Sequence, residues 1–218
     1  SAESKSAVAR GYGCAVLLVP PDQRDTKPLE LAAEHGYALV PPYDDPAVIA
    51  GTGTIGAEIA ADLPDVDLVL VPVSGGGLIS GIATAVKIRC PQARVVGVEP
   101  ELAADAAESF RRGERVEWSP ELTFRTAADG LRVAGVGELP WLHIQQYVDD
   151  IVTVTEDQIR AAVRLLARSA RLVAEPSGAV ATAAYLAHPS LAEHAGTAVA
   201  VLSGGNADPA LLAEILSS

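Results

Sequence analysis

The sequence predicts an α/β fold: a doubly wound, mostly parallel sheet with helices on both faces. Short apolar runs alternate along the chain with longer segments in which apolar residues recur at helical spacing, which is the pattern of strands joined by crossover helices. The strand-like runs are apolar throughout, as expected for strands that are covered on both faces. Aromatic residues make up only 4% of the 218 residues, so Ala, Val, Leu and Ile must build the core.

Four elements are predicted before residue 41. A continuous apolar run that stops at Pro20 and Pro21 predicts a buried strand, and Gly36 ends the helix that follows. In chain order, these elements are a helix ending at residues 6–12, a strand over 15–19, a helix over 27–35 and a strand over 37–40.

The middle of the chain predicts two further strands between three helices. Asp44, Asp45 and Pro46 start a helix, because an acidic side chain can cap the first N–H groups and proline suits the first turn. In chain order, the elements are a helix over 46–63, a strand over 67–73, a helix over 78–89, a strand over 93–98 and a helix over 101–112. Residues 113–140 show no clear period and receive no assignment.

The last third of the chain returns to the same alternation. Thr155 is placed to cap one helix, and Asp208 with Pro209 opens the last one. In chain order, the elements are a strand over 150–154, a helix over 155–170, a helix over 177–187, a strand over 197–202 and a helix from 209 onward.

Composition argues against several classes of protein. The net charge of −12 repels phosphate backbones and disfavours nucleic-acid binding. No apolar run reaches the roughly 18 residues that cross a membrane, and the polar start SAESKSAVAR does not resemble a signal peptide. Cys14 and Cys90 lack metal-binding spacing, which favours two reduced cysteines in a cytoplasmic protein. The chain has no methionine, so we expect that residue 1 is not the natural translation start.

One glycine motif is a candidate for dinucleotide binding. Residues 51–56, GTGTIG, match G-x-G-x-x-G. That motif needs a strand before it and an acidic residue about 20 positions later. Here it follows the helix start at Pro46, and the downstream region is itself glycine. We therefore expect these glycines to serve close helix packing or a helix bend.

A second glycine motif predicts an anion site. Residues 69–87, VLVPVSGGGLISGIATAVK, pass from a buried strand through Ser74 and three glycines directly into a helix. Glycines leave backbone N–H groups accessible, and the helix start adds partial positive charge at the carboxyl end of a parallel strand. The Gly-Lys-Ser/Thr of a P-loop does not follow. On these residues alone, a plain tight turn between strand and helix is the alternative.

Five segments together resemble the threonine/serine dehydratase and serine racemase family of fold-type II pyridoxal-phosphate enzymes. The turn SGGGLISG resembles the family's phosphate-binding loop, whereas the threonine-containing loop of the related cysteine synthases fits less well. Thr52 stands where the family more usually has glutamine. The five segments keep the family's order over essentially the whole chain and are residues 44–59, 74–81, 97–105, 172–179 and 201–206.

The resemblance implies which residues bind the cofactor. Backbone amides of the glycine turn would hold the phosphate of pyridoxal phosphate, and Ser203 would face the pyridine nitrogen. A hydroxyl at that position makes the ring a weaker electron sink than a carboxylate would. The implied cofactor-binding residues are Ser74, Gly75, Gly76, Gly77, Leu78, Glu175, Ser203, Gly204 and Asn206.

The resemblance also implies a divalent-cation site. Glu99 and Asp105, with the carbonyl oxygen of Ala103, would bind a hard cation such as Mg²⁺ or Ca²⁺, because such cations prefer oxygen ligands. The role of the cation would be structural or activating. By spacing alone, the two acidic residues would be interpreted as an ordinary solvated helix cap.

By the same resemblance, the reaction is a β-elimination from L-threonine or L-serine that releases ammonia and yields a 2-oxo acid. It needs a lysine that forms a Schiff base with the cofactor and then moves protons. The family carries this lysine in an S-F-K-x-R-like segment and binds the substrate carboxylate with an S-S-G-N-H loop, and neither occurs here. Both normally precede the first helix of this chain, so we expect a truncated form, and the catalytic residues are unknown.

None of the three lysines of this chain fits the catalytic role. Lys87 lies ten residues into the helix whose start would bind phosphate, and at 1.5 Å per residue that is roughly 15 Å away. Lys5 lies on a polar helix and Lys27 in a turn before Pro28, so all three are interpreted as surface residues. The chain alone is therefore predicted to be inactive.

The resemblance implies two domains and several possible functions. Residues 1–40 would be a remnant of the smaller domain, and residues 41–218 would form the larger, phosphate-binding domain. Loss of the first strands would expose a sheet edge, which favours a homo-oligomer such as a dimer. A serine racemase-like enzyme and a non-catalytic pseudoenzyme that keeps the phosphate site stay open as alternatives to the dehydratase.

Overall fold

The computed structural model describes residues 3–20, 23–24, 26–193 and 195–217. The chain divides into two compact units, Ser1–Pro42 and Tyr43–Ser218. In the part of the chain that the structure describes, no helix is both long and apolar enough to cross a membrane.

The first unit contains two helices, α1 (Glu3–Gly11) and α2 (Thr26–His35), and both were predicted. The strands predicted at residues 15–19 and 37–40 are wrong, because both segments are irregular and pair with no strand. Their apolar side chains are largely exposed, with Val40 78% accessible. An apolar run shows that a segment can be buried, but a strand also needs a neighbour to hydrogen-bond with. Pro21, the predicted end of the first strand, lies outside the described residues.

The second unit is built on a parallel sheet of four strands in the order β3–β2–β1–β4. The strands are β1 (Leu68–Pro72), β2 (Arg94–Pro100), β3 (Asp150–Val154) and β4 (Ala198–Ala200). The chain runs outward from β1 through β2 to β3 and then returns to place β4 on the other side of β1. This confirms the predicted doubly wound, parallel α/β fold.

Helices cover both faces of the sheet and create two hydrophobic cores. Alternate residues of β1 point to opposite faces, as the strand period requires: Val69 and Val71 belong to one core, and Leu68 and Leu70 to the other. Three helices pack in the first core, Gly77–Arg89, Asp105–Arg112 and Glu138–Tyr147, and three in the second, Glu156–Leu165, Pro176–Ala187 and Pro209–Ser217. All five residues of β1 are buried, which explains the uninterrupted apolar run in the sequence.

The helices of the second unit agree with the predicted ones within a few residues. The structure adds α7 and the short α6 and α10, which lie in segments without a predicted helix. The bounds are α3 (Pro46–Asp62), α4 (Gly77–Arg89), α5 (Asp105–Arg112), α6 (Pro120–Thr123), α7 (Glu138–Tyr147), α8 (Glu156–Leu165), α9 (Pro176–Ala187), α10 (Pro189–Ala192) and α11 (Pro209–Ser217).

Two predicted helices are interrupted. The helix predicted over residues 101–112 begins as a 3₁₀ turn, Glu101–Ala103, and only then becomes α5. The helix predicted over residues 155–170 starts as expected with a Thr155 capping box and ends in a π-helical turn, Leu166–Ala170. Such changes of hydrogen-bond pattern depend on local packing, which apolar periodicity does not report.

The glycines of residues 51–56 lie inside α3, where α3 crosses α4. A Cβ on Gly56 would come within 2.6 Å of the carbonyl oxygen of Ile82, and a Cβ on Gly81 of α4 would collide with the backbone of Ile49 and Gly53. The expectation of close helix packing is confirmed. Gly56 and Gly81 let the two backbones approach. In the described chain no strand precedes residues 51–56 in the way that dinucleotide binding requires.

Substitution of Gly81 by alanine should destabilise the fold, because the added methyl group meets backbone atoms that cannot rotate away. We expect the free energy of unfolding in urea to fall by about 1–3 kcal/mol, as for other overpacked sites. Gly51→Ala is the matched control on the same helix pair. A Cβ there meets nothing within 4 Å, and alanine should stabilise the helix by about 0.5–1 kcal/mol. Equal stability of the two variants would refute the close-packing account.

Candidate functional site

The candidate site lies where the strand order reverses. β1 is followed by β2 on one side, and β4 lies on its other side. Loops that leave neighbouring strands at such a point separate and leave a crevice at the carboxyl ends of the strands, where ligands bind in open α/β sheets. The glycine turn after β1 and the loop that contains Ser203 after β4 both lie at this edge. The fold thus brings two of the sequence-predicted segments together.

The glycine turn presents hydrogen-bond donors that the protein does not use. Gly76 has φ +89° and precedes α4 without a side-chain cap. Within the described residues, no acceptor pairs with the N–H groups of Gly75, Gly76, Gly77 or Leu78. The hydroxyl of Ser74 is also buried without a hydrogen-bond partner in the described structure. Buried polar groups are rarely left unpaired, so this donor set fits a bound anion such as a phosphate group.

Neighbouring groups pack tightly around the turn, so glycine is required at each position. A Cβ on Gly75 would collide with the ring of Tyr43, and one on Gly77 would lie 2.9 Å from the Cα atom of Tyr43. A Cβ on Gly76 would lie 2.8 Å from the Cβ of Pro140 in α7, and the left-handed backbone there already disfavours side chains. The turn is therefore held as a rigid cradle of amides.

The second wall of the crevice is formed by Glu175 and the loop after β4. The N–H of Glu175 donates to the carbonyl of Gly204 at 3.1 Å, and the Glu175 carboxylate lies against the Cα of Gly204. Ser203 and Asn206 are exposed. The structure therefore places the four predicted residues of this wall on neighbouring segments, with Ser203 and Asn206 accessible from outside.

Sequence reasoning missed several residues that organise the site. Tyr43 packs on the glycine turn, and Asp44 accepts hydrogen bonds from the N–H groups of Glu138 and Leu139 at 2.9 and 3.0 Å, so it caps α7. The sequence carried a signal for Asp44: two adjacent acidic residues precede Pro46, and Asp45 alone caps α3. Tyr43 carried no signal, because an aromatic residue in a loop has many uses.

The unassigned segment 113–140 also contributes to this edge of the sheet. Gly130 donates its N–H to the hydroxyl of Ser177 at 2.9 Å, which ties the segment to the first turn of α9. Ala127 donates its N–H to Glu156 at 2.8 Å, next to the end of β3. Irregular segments at the carboxyl edge of such sheets commonly carry binding residues, and apolar periodicity could not reveal these contacts.

Glu99 and Asp105 form a pair of buried carboxyl groups beside α5. Each is 1% exposed, and burial raises the pKa of Asp105 to about 7. Burial, and then the charge of Asp105, raise the pKa of Glu99 well above its usual value, although the N–H groups of Ala107 and Ala106 oppose this. Because Glu99 accepts both hydrogen bonds, at 2.7 and 3.2 Å, it does cap α5, but as a buried cap.

One carboxylate oxygen of this pair has no partner. Oδ2 of Asp105 is buried and makes no hydrogen bond within the described structure, and Ala103 beside it is also buried. No group of three or more His, Cys, Asp or Glu side chains that could hold a metal ion occurs in the described ranges. Among the described side chains, this place therefore offers two carboxyl groups, those of Glu99 and Asp105.

Lys87 is committed to a structural role at the far end of α4. Its ammonium group lies 2.7 Å from the carboxylate of Asp149 and donates to the carbonyl of Ala93 at 2.8 Å. The helix start that carries the amide cradle lies roughly 15 Å away at 1.5 Å per residue. Lys27 of the first unit pairs with Glu30 at 2.7 Å.

Known proteins resemble this chain in sequence and in structure. The model of the family described as "Pyridoxal-phosphate dependent enzyme" matches residues 1–204. L-threonine ammonia-lyase of Thermotoga maritima is 42% identical over 98% of this chain and 53% of its own length. L-threonine dehydratase catabolic TdcB of Escherichia coli is 42% identical over 98% of this chain and 65% of its own length. The chain thus spans between half and two thirds of these relatives.

Two solved structures extend the comparison. The threonine deaminase from T.th. is 42% identical with a TM-score of 0.89, over 95% of this chain and 68% of that one. The serine racemase of maize is 31% identical with a TM-score of 0.89, over 99% of this chain and 66% of that one. With the family model matched over most of its length, the chain belongs to the family of pyridoxal-phosphate-dependent enzymes, and it is homologous to threonine dehydratases and serine racemases.

Proposed function

We propose that this chain provides the phosphate-binding part of an ammonia-lyase that acts on L-threonine or L-serine. The observation that carries the proposal is the glycine turn, with four amides and the Ser74 hydroxyl left for an anion. The names of the relatives that are 42% identical, a threonine ammonia-lyase and a threonine dehydratase, support the reaction. Pyridoxal phosphate, when bound, supplies the electron sink that allows an α-proton of an amino acid to be removed.

The residues of this chain would hold and orient the cofactor. The amides of Gly75, Gly76, Gly77 and Leu78 would bind its phosphate group, assisted by the positive end of α4. Ser203 would offer a hydroxyl to the pyridine nitrogen of the cofactor. A hydroxyl does not stabilise a positive charge on that nitrogen as a carboxylate would.

Glu175, Gly204 and Asn206 would form the wall beside the cofactor ring. The hydrogen bond between Glu175 and Gly204 keeps this wall fixed to the start of α9. The wall would exclude water from one side of the cofactor and give the substrate a defined face to approach.

The proposal includes a second segment that supplies the catalytic lysine and completes the smaller domain, to which residues 1–40 would belong. The chain spans 53% and 65% of the two relatives. Apolar residues of the first unit stay open, with Leu18 67% and Val40 78% exposed, as expected if another segment packs on them.

Association of two copies is part of the proposal. Ile88 and Leu142 are 70% and 60% exposed on helices α4 and α7, and contact with a second copy would remove their apolar surface from water. We also propose a cytoplasmic location, supported by Cys14 and Cys90, which form no disulfide.

A serine racemase-like activity is the second candidate, because the maize serine racemase has a TM-score of 0.89 to this chain. The two activities differ in their products. An assay of the whole protein with L-serine separates them, since a lyase forms pyruvate and ammonia whereas a racemase forms D-serine.

Glu99, Asp105 and the carbonyl of Ala103 are proposed to bind a divalent cation such as Mg²⁺ or Ca²⁺. The unpaired Oδ2 of Asp105 is the observation that favours a cation over a simple helix cap. A cation would offset the cost of holding two buried carboxylates close together and would stabilise α5 and its junction with β2.

Replacing Ser74 by alanine tests the phosphate site. We expect affinity for pyridoxal phosphate, measured by absorbance titration, to fall about tenfold, because a hydrogen bond to a charged group is lost. Stability of the free chain should stay equal or rise, since a buried unpaired hydroxyl is removed. Ser190→Ala, at an exposed position of α10, is the control that should change neither. Unchanged affinity in Ser74→Ala would contradict the proposed cradle.

The purified chain of residues 1–218 should form no stable lysine adduct with pyridoxal phosphate. After borohydride reduction, we expect mass spectrometry to find no stoichiometric adduct on Lys87, because its ammonium group is bound to Asp149. The same sample should produce no 2-oxobutanoate from L-threonine. The E. coli dehydratase treated in parallel is the positive control. An adduct on one lysine, or turnover by this chain, would show that a catalytic lysine is already present.

Addition of Mg²⁺ or Ca²⁺ should stabilise the chain through Asp105. A cation at about 100 times its dissociation constant adds about 2.7 kcal/mol to the free energy of unfolding, measurable by urea denaturation with and without EDTA. Asp105→Asn should abolish this response, while Glu101→Gln, which changes an exposed acid in the adjoining turn, should retain it. The cation site is wrong if wild type and Asp105→Asn respond equally.

A further inference from the structure

The carbonyl groups of the glycine turn are each held by a separate donor. The carbonyl of Gly75 accepts the N–H of Gly137 at 3.1 Å. The carbonyl of Gly76 accepts the N–H and the hydroxyl of Ser80 at 3.0 and 2.7 Å. The carbonyl of Gly77 lies 2.9 Å from the hydroxyl of Thr52. Donors from α3, α4 and the start of α7 therefore fix the back of the turn.

These hydrogen bonds determine where the free amides point. A trans peptide is planar, and its C=O and N–H point in opposite directions. The carbonyl of one residue and the N–H of the next belong to the same peptide plane. Donors that hold the carbonyls of Gly75, Gly76 and Gly77 thus direct the N–H groups of Gly76, Gly77 and Leu78 to the opposite side, where no protein acceptor meets them in the described structure.

Thr52 reaches the turn from the neighbouring helix. It is half-buried in α3, and its hydroxyl lies 2.9 Å from both the carbonyl of Gly77 and that of Ile49 in its own helix. The hydroxyl has one proton, which the two carbonyls share. The small residues at the crossing of α3 and α4, Gly53 and Gly81, bring this hydroxyl close enough to contact the turn.

Asp44 affects the glycine turn indirectly, through Gly137 at the start of α7. Its carboxylate holds the N–H groups of Glu138 and Leu139, and a Cβ on Gly137 would lie 2.8 Å from the Cγ of Asp44. The position of Gly137, and with it the hydrogen bond to Gly75, depends on that carboxylate. Loss of this carboxylate would leave two N–H groups of α7 without their acceptor, which should loosen the turn without unfolding the domain.

We propose that Thr52 and Asp44 are positioning residues, which aim the amides of the glycine turn at the phosphate group without touching it. The inference rests on the proposed phosphate site and adds the groups that give the site its geometry. Preorganised donors bind more tightly because the cost of ordering them has been met during folding. Removing either positioning group should therefore weaken phosphate binding more than it weakens the fold.

The first test replaces Thr52 by valine, which keeps the shape and removes the hydroxyl. The probe is inorganic phosphate, titrated into the purified chain by calorimetry, and we expect about fivefold weaker binding, as for loss of one hydrogen bond of about 1 kcal/mol. Thr52→Ser restores the hydroxyl and should restore binding. Thr54→Val is the matched control, since Thr54 is exposed on the same helix and its hydroxyl donates to Gly51 in its own turn.

The second test uses Asp44. Asp44→Ala should weaken phosphate binding by a similar factor, and Asp44→Asn, which can still cap a helix, should retain most of it. Amide NMR gives a signature that stability alone does not move: phosphate should shift the signals of Gly76, Gly77 and Leu78 in wild type, and by less in Thr52→Val and Asp44→Ala. If one variant does not fold, the other carries the test.

The outcomes separate the two proposals. Phosphate binding by wild type together with equal binding by folded Thr52→Val or by folded Asp44→Ala would overturn the positioning roles and leave the phosphate site intact. No binding of inorganic phosphate by wild type would overturn the phosphate site itself, and the positioning roles with it. Weaker binding in both variants, with recovery in Thr52→Ser and Asp44→Asn, is the result we expect.

Discussion

The unpaired amides at the end of β1 are the constraint on which the rest of the second unit depends. A buried strand that turns directly into a helix leaves its N–H groups without acceptors, and burial makes each unpaired donor costly. Neighbouring groups donate hydrogen bonds to the carbonyl groups of the turn, and the amides of the turn stay unpaired in the described structure. Gly137, Ser80 and Thr52 each supply a donor, so the turn keeps its shape while its amides stay available for an anion.

Glu99 and Asp105 are a second set of polar groups whose burial is costly, and they are acidic acceptors where the glycine turn has donors. Burial raises the pKa of both carboxyl groups, and the charge of Asp105 raises the pKa of Glu99 further. The fold offsets part of this cost with the first amides of α5, yet one oxygen of Asp105 stays unpaired in the described structure. The molecule thus has one site with unpaired hydrogen-bond donors and one with an unpaired acceptor. Each site lies at the carboxyl end of a strand.

Most of the fold of the second unit could be predicted because its elements carry strong local signals. β1 is apolar throughout, Asp45 and Thr155 cap their helices, and the glycine turn stands out after a strand. The two strands predicted in the first unit failed because an apolar run reports burial potential and not the presence of a neighbour. α7 was missed because an apolar residue, Leu142, lies on its exposed side while Trp141 and Ile144 lie on its buried side, so no single apolar stripe marks the helix. The site residues that the sequence could not reveal, Tyr43 and Gly137, act through contacts with distant parts of the chain.

The tripeptide Tyr43–Asp44–Asp45 has a consequence for how this chain can change in evolution. Connections between elements usually tolerate insertions and deletions, because few contacts depend on their length. Here three consecutive residues serve three separate elements: the glycine turn, the start of α7 and the start of α3. A single inserted or deleted residue would move at least two of them out of reach at once. We therefore expect the number of residues from Tyr43 to Pro46 to stay constant in evolution even where the residue types change. This short connection sets the distance between the elements that it joins.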